Sequence, residues 1–197
     1  MIKLFNSWDV GEIKVEDRGL RKYINLRPII VPKTCGRNTK VQFSKSKNHI
    51  VERLITRIMV PGHRGKKHMR SSGHCCGKAS HAYNVVKNSF MIIEKQLKKN
   101  PVEVFVKAVE NAAPREEINT IEYGGARYPQ AVEMSPSRRV DFALKMVVQG
   151  AYSKSFKNKK KIEETLADEI IKSYNCDSKS TAISKKLELE RQADSAR

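Results

Sequence analysis

The sequence INTIEYGGARYPQAVEM, residues 118–134, is the stretch that decides the fold. Two segments with loosely alternating apolar and polar residues flank Gly124-Gly125, and a Gly-Gly pair tolerates the positive φ angles that a tight hairpin turn requires. Pro129 lacks the N–H group that a central strand needs. The pattern therefore predicts a free two-stranded ribbon rather than part of a larger sheet.

Helical patterns lie on both sides of this ribbon. The spacing of apolar residues predicts six helices, at about 48–60, 79–98, 101–112, 137–153, 161–174 and 180–194. Asn100 followed by Pro101, and Ser135 followed by Pro136, are typical helix starts, with a capping residue and then a proline. We expect a mainly α protein: a single helical-bundle domain of about six helices, from which a two-stranded β-hairpin arm protrudes.

The first quarter of the chain has a different character. Residues 1–47 show little helical periodicity, and residues 33–47 are rich in Lys and Arg. Such a segment often becomes ordered only on a partner. We therefore expect an extended basic N-terminal segment over residues 1–47, followed by a helical body over residues 48–197 that carries the arm at about 118–134.

The charge is large and unevenly distributed. The 197 residues contain 39 Lys and Arg against 21 Asp and Glu, a net charge of +18, and residues 33–98 hold 15 of the cations with only Glu52 and Glu94. Such an excess favours a polyanionic partner, and nucleic acid is the first candidate. A membrane is not expected, because the longest apolar run is four residues, 90–93. Since no apolar signal segment follows Met1, we expect a cytoplasmic protein.

Most of the expected contacts are made by cations. Lys and Arg side chains would neutralise phosphates, which positions a protein on nucleic acid without reading its sequence. Arg127 and Tyr128 would insert into a groove or stack on unpaired bases. A phosphate near Arg138 and Arg139 would offset their unfavourable position at a helix start. The full predicted set is Arg37, Lys40, Lys45, Lys47, Arg53, Arg57, Arg64, Lys66, Lys67, Arg70, Lys78, Arg115, Arg127, Tyr128, Arg138 and Arg139.

A His and Cys cluster offers an alternative site, for zinc. Its members are His63, His68, His74, Cys75 and Cys76. The cluster has no Cys-x-x-Cys pair, and its cationic neighbours oppose metal binding. A thiol or zinc enzyme that pairs one of these cysteines with His74 or His81 is a further rival, although closeness in sequence does not make a catalytic dyad. We expect no metal, no cofactor and no enzymatic activity.

The region around the ribbon carries the strongest resemblance to a known family. Glu110-Asn-Ala-Ala-Pro-Arg-Glu116, Gly124-Gly125-x-x-Tyr128 and Pro136-x-Arg138-Arg139 resemble the universal small-subunit ribosomal protein family that is counted seventh in the bacterial numbering. Four further segments resemble it in order: Val51-Glu-Arg-Leu-Ile55, Gly77-Lys78, Leu166-Ala-Asp-Glu-Ile-Ile171 and the ending Glu188-Leu-Glu-Arg-Gln-Ala-Asp-Ser-Ala-Arg197. The resemblance covers about residues 20–197.

This resemblance implies a structural constituent of the small ribosomal subunit. It implies a primary rRNA-binding protein that binds the 3′ major domain of small-subunit rRNA and nucleates assembly of the head. Its place would be the subunit interface near the decoding centre, exit-site tRNA and mRNA, beside neighbouring head and platform proteins. The longer segment before Lys33 and the insertion at 61–76 resemble the archaeal and eukaryotic branch. The alternative is a free architectural protein whose β-ribbon arm enters a minor groove of nucleic acid.

Overall fold

A computed structural model describes residues 2–62 and 77–197 of the chain. These residues form six α-helices and one two-stranded antiparallel sheet, which confirms the predicted mainly α fold. The helices are α1 (Ile50–Ile58), α2 (Ala79–Leu97), α3 (Pro101–Ala112), α4 (Pro136–Ser155), α5 (Ile162–Tyr174) and α6 (Thr181–Asp194), and the strands are β1 (Glu116–Tyr123) and β2 (Ala126–Glu133). Within this part of the chain, no helix is both long and apolar enough to span a bilayer.

Helix α5 lies at the centre of the bundle and packs against α2, α3 and α4. Its apolar side chains Leu166 and Ile170 are fully buried, as are Phe90 of α2 and Phe105 of α3. Helix α1 packs on α2 and α4, while α6 packs on α4 and on β1. The helices bury the faces that their apolar spacing predicts, because removing those stripes from water is the main source of stability.

The N-terminal segment contributes to the same core. Leu4, Trp8 and Leu20 are all buried, and Trp8 Nε1 donates a hydrogen bond of 3.0 Å to Glu94 Oε2 on α2. The Trp8 and Phe90 rings meet edge to face, with 5.8 Å between their centroids. The segment has no helical periodicity. Apolar side chains such as Trp8 are buried by contacts with α2 and not within a regular local structure. The division of the chain at residue 47 stays a prediction from the sequence pattern.

The ribbon has the predicted turn and, as predicted, pairs with no further strand among the described residues. Gly124 and Gly125 adopt φ angles of 59° and 84°, and Thr120 faces Pro129 across the two strands. The base of the arm is tied down, since Met134 N donates to Arg115 O at 2.9 Å and Met134 is buried. The residues toward the tip are exposed. The arm is therefore anchored at its base and free at its tip.

The two predicted helix starts differ in detail. Asn100 Oδ1 accepts a hydrogen bond of 3.1 Å from Val102 N, so the cap of α3 is confirmed. Ser135 occupies the corresponding position before α4, but its hydroxyl makes no capping hydrogen bond. The sequence predicts the position of the second helix start correctly and its side-chain cap wrongly.

His49 caps α1 from a buried position. Its Nδ1 accepts a hydrogen bond of 3.2 Å from Val51 N, and only 2 % of the residue is exposed. Within the described residues, its Nε2 has no hydrogen-bond partner. Burial disfavours the charged imidazolium and lowers the pKa of His49 from 6.5 to about 4.

Acidification should therefore destabilise the protein through His49. The folded-state pKa is depressed, so the unfolded chain takes up the proton first, and stability is lost as the pH falls from about 6.5 towards 4. We expect a loss of about 2 kcal/mol between about pH 7 and pH 5 from this residue alone. Urea unfolding at both pH values measures it. His49→Asn, which keeps a capping acceptor, should lose this component; equal pH dependence in both proteins would contradict the assignment.

Candidate nucleic-acid interface

The basic segment before α1 has a defined, hydrogen-bonded conformation. Its chain makes successive turns, with Thr39 N donating to Gly36 O at 3.1 Å and Val41 N to Asn38 O at 3.1 Å, and ends in a short 3₁₀ helix, Ser44–Lys47. A hydrogen bond of 3.4 Å from Asn38 Nδ2 to Ser44 O crosses the segment. The side chains of the four predicted contact residues here are all exposed: Arg37, Lys40, Lys45 and Lys47.

Arg53 is not part of this exposed set, contrary to the prediction that it contacts nucleic acid. Its side chain is only 4 % exposed and lies 3.0 Å from Asp141 of α4, while its Nη1 donates to Tyr23 O at 2.9 Å. Lys45 Nζ approaches the other oxygen of Asp141 at 2.7 Å. Burial raises the pKa of Asp141, but the hydrogen bonds from Lys45 and Arg53 outweigh it and lower the pKa overall. Arg53 thus joins α1 to α4 and the N-terminal segment.

Lys45 and Arg57 both line a surface cavity of 390 Å³. The segment contributes Asn38, Lys45 and Asn48 to its wall, α1 contributes Arg57, and α4 contributes Asp141. The wall thus combines amide groups with charges of both signs. Such a lining can hydrogen-bond to polar groups of an RNA strand.

The predicted residues between α1 and α2 divide into two groups. Lys78 is exposed and occupies the position just before α2, with a φ of 55°. The others lie outside the described residues: Arg64, Lys66, Lys67, Arg70, His63, His68, His74, Cys75 and Cys76. In residues 2–62 and 77–197, no three His, Cys, Asp or Glu side chains are grouped so that they could hold a metal ion.

The arm presents an exposed aromatic and cationic tip. Tyr123 and Tyr128 are 81 % and 59 % exposed, one on each strand. Arg127 lies opposite Glu122 with 3.6 Å between their charged atoms, and both side chains remain mostly exposed. Such an exposed pair contributes little to stability. The tip can therefore exchange these contacts for contacts with a ligand.

Arg138 and Arg139, adjacent in sequence, have different environments. Arg138 is 63 % exposed and donates to Glu117 Oε2 of β1 at 2.8 Å. Arg139 is 11 % exposed; it donates to Pro114 O at 2.9 Å and to Asp17 Oδ2 at 2.8 Å. Burial raises the pKa of Asp17, yet the hydrogen bond from Arg139 contributes to a net lowering. Arg138 is available to a ligand, whereas Arg139 holds the N-terminal segment against α4.

Several exposed cations have no counterion among the residues that the structure describes. In the part of the chain that the structure describes, the side chains without an ion pair include Arg37, Lys40, Lys47, Lys78 and Arg115. Phe43, which was not among the predicted contact residues, lies between Lys40 and Lys47 in the sequence and is 78 % exposed. Its signal in the sequence was an aromatic residue within a cationic segment.

Comparisons with known proteins give the chain a family. The family model described as ribosomal protein S7p/S5e matches residues 20–197. The small ribosomal subunit protein uS7 of Nanoarchaeum equitans is 55 % identical over 196 residues, covering 100 % of this chain and 99 % of that protein. The uS7 proteins of Methanothermobacter thermautotrophicus and Methanosphaera stadtmanae are 50 % and 49 % identical, with at least 98 % of each chain covered. This chain therefore belongs to the S7p/S5e family of ribosomal proteins.

Proposed function

We propose that this structural constituent of the small ribosomal subunit binds small-subunit rRNA directly, in the 3′ major domain. The observation that carries the proposal is the folded segment before α1, which holds Arg37, Lys40 and Lys47 exposed and without protein counterions among the described residues. Each cation that meets a phosphate releases condensed counterions, and this release drives binding. The chain has a net charge of +18, so the same attraction acts over the whole molecule.

The finer role that we propose is nucleation of head assembly and a place at the subunit interface. A protein whose basic segment is already ordered loses little conformational entropy when it meets rRNA, which suits an early binder. The arm, anchored at Met134 and exposed at Tyr128, would extend from that rRNA anchor toward exit-site tRNA and mRNA near the decoding centre. Neighbouring head and platform proteins would cover other surfaces of the bundle in the cytoplasmic ribosome.

The rival functions differ in what they require. Members of this family are structural ribosomal proteins, so the chain is not an enzyme. A free architectural protein would use the arm on duplex DNA, and its affinity would depend on charge and groove shape. A ribosomal protein should instead prefer a folded rRNA fragment.

Competition binding separates the two remaining functions. The purified protein is titrated onto a labelled 3′ major domain fragment at about 0.15 M salt, with a large excess of duplex DNA. We expect binding that survives the DNA, and at least about tenfold weaker binding to a fragment from another rRNA domain of equal length. Equal affinity for the two fragments and for DNA would overturn the proposal in favour of non-specific binding.

Substitutions of the two adjacent arginines should affect different properties, stability for Arg139 and rRNA binding for Arg138. Arg139→Ala should lower the free energy of unfolding by about 2 kcal/mol, because Asp17 and Pro114 lose a charged donor. Arg138→Ala should change stability by less than about 1 kcal/mol, but should lower the salt exponent of rRNA binding by just under one if it meets a phosphate. Urea unfolding and salt titration measure these effects. An unchanged exponent in Arg138→Ala would remove Arg138 from the interface.

A further inference from the structure

Phe43 has an unusual combination of exposure and backbone conformation. It is 78 % exposed, and its φ and ψ of 57° and 14° lie in the left-handed region. Bulky residues that cannot form a local side-chain hydrogen bond seldom adopt this conformation, which costs of order 1 kcal/mol. Packing against the described residues offsets little of this cost, because the ring is mostly in solvent.

The surrounding chain holds Phe43 in place on both sides. Ser44 is buried and its N–H donates to Val41 O at 3.3 Å, while Ser46 Oγ donates to Phe43 O at 3.0 Å. The 2.7 Å ion pair between Lys45 and Asp141 fastens the following turn to α4. The ring is thus displayed from a hydrogen-bonded turn.

The surroundings of the ring match the chemistry of a single-stranded nucleotide. Lys40, Lys45 and Lys47 are exposed within four residues of Phe43. The cavity described above is lined in part by Ser44, the next residue, and by the side chains of Asn38 and Asn48. An aromatic face accepts a base of any sequence, and nearby cations accept the phosphates on either side of it. A protein partner would have to cover the ring with an apolar pocket, and the lysines around Phe43 disfavour burial in such a pocket.

We propose that Phe43 is a stacking platform for an unpaired RNA base, with the flanking phosphates bound by Lys40 and Lys47. The proposal rests on the proposed rRNA binding and deepens it, because it assigns a base contact to a segment otherwise expected to make only phosphate contacts. The left-handed backbone places the ring in solvent before RNA arrives, so few packing contacts have to be broken before a base stacks on it.

Phe43 variants test the stacking directly on the 3′ major domain fragment. Phe43→Ala should weaken binding roughly tenfold or more, as expected for one stacked base, and leave the salt exponent unchanged because no charge is altered. Phe43→Tyr should bind like the native protein, whereas Phe43→Leu should bind like Phe43→Ala. If Leu restores the affinity, apolar packing explains the contact and stacking is overturned. Thermal unfolding of Phe43→Ala should be unchanged, because the exposed ring contributes little to the core and alanine keeps the Cβ that makes this backbone conformation unfavourable.

Fluorescence gives an independent readout. In Phe43→Trp the fluorescence of the new indole should be quenched when RNA binds, while the buried Trp8 provides a constant background measured in the native protein.

Failure of the stacking proposal and failure of the proposed rRNA binding give different results. If Phe43→Ala binds normally while Lys47→Gln binds less well, stacking is wrong and rRNA binding stands. If the native protein itself shows no preference for the fragment, the proposed function fails and the stacking proposal fails with it.

Discussion

Glu169→Ala should lower the free energy of unfolding by about 3–4 kcal/mol, the largest loss that we expect from a single substitution in this protein. Glu169 is completely buried in α5. Its Oε1 accepts hydrogen bonds from Ser180 Oγ at 2.9 Å and from Ala182 N at 3.2 Å, both at the start of α6. Its Oε2 pairs with Lys154 of α4. One carboxylate therefore joins three helices.

The size of this loss follows from what remains after the substitution. Ser180 Oγ and Ala182 N lose a charged acceptor in a buried place, although Ala182 N keeps Ser180 Oγ as an acceptor at 3.2 Å. Weakening buried hydrogen bonds in this way costs about 1–3 kcal/mol. Lys154 loses its partner, although its side chain is 35 % exposed and can still reach water. The space left by the side chain adds a packing term, because buried cavities are not fully closed by relaxation. For a chain of this length, the sum corresponds to a fall in Tm of roughly 10 °C.

Two variants separate the contributions at this junction. Glu169→Gln keeps an oxygen for α6 but removes the charge that faces Lys154, so it should lose less than the alanine variant. Glu164→Ala, an exposed carboxylate on the same helix, should lose less than about 1 kcal/mol. Urea unfolding of the three variants measures the differences. Equal losses in Glu169→Ala and Glu164→Ala would show that the buried junction contributes nothing specific.

Local pattern was enough to predict the helices and the arm. Gly124-Gly125 permits the positive φ angles of a tight turn, which few other residue pairs do, and Pro129 excludes a third strand beside β2, so both constraints act within a few residues. Asn100-Pro101 likewise marks the start of α3 without information from elsewhere. Each of these features depends on backbone geometry that the residue itself limits. For this reason the predicted and observed helix boundaries differ by only one or two residues.

Long-range pairing could not be predicted in the same way. Arg53 and Asp141 are 88 residues apart, and Arg139 and Asp17 are 122 residues apart. A cation in the sequence has the same appearance whether it meets a carboxylate of the fold or a phosphate of a partner. The burial of Trp8 posed the same problem, since its partners on α2 lie far along the chain. Net charge therefore predicted the class of ligand, while only the fold could separate structural cations from available ones.

The exposed cations before α1 that form no ion pair among the described residues can therefore be tested as a group. Replacing Arg37, Lys40 and Lys47 together by Gln should weaken rRNA binding by about 10²-fold at about 0.15 M salt, since three phosphate contacts contribute a combined salt exponent of about two to three. The exponent itself should fall by the same two to three units. Salt titration of fragment binding measures both quantities, and circular dichroism should show unchanged helix content because these side chains bury nothing.

A matched variant decides whether position or only total charge matters. Lys14, Lys95 and Lys98 are exposed and form no ion pair among the described residues, and replacing all three by Gln gives the same net charge as the first triple variant. If the segment before α1 is the rRNA anchor, this control should bind within about threefold of the native protein, because it changes only the distant, screened field. Equal weakening in both triple variants would mean that rRNA responds to overall charge, and that the segment has no special role. Strong weakening confined to the first would identify Arg37, Lys40 and Lys47 as phosphate contacts and leave the base contact to Phe43.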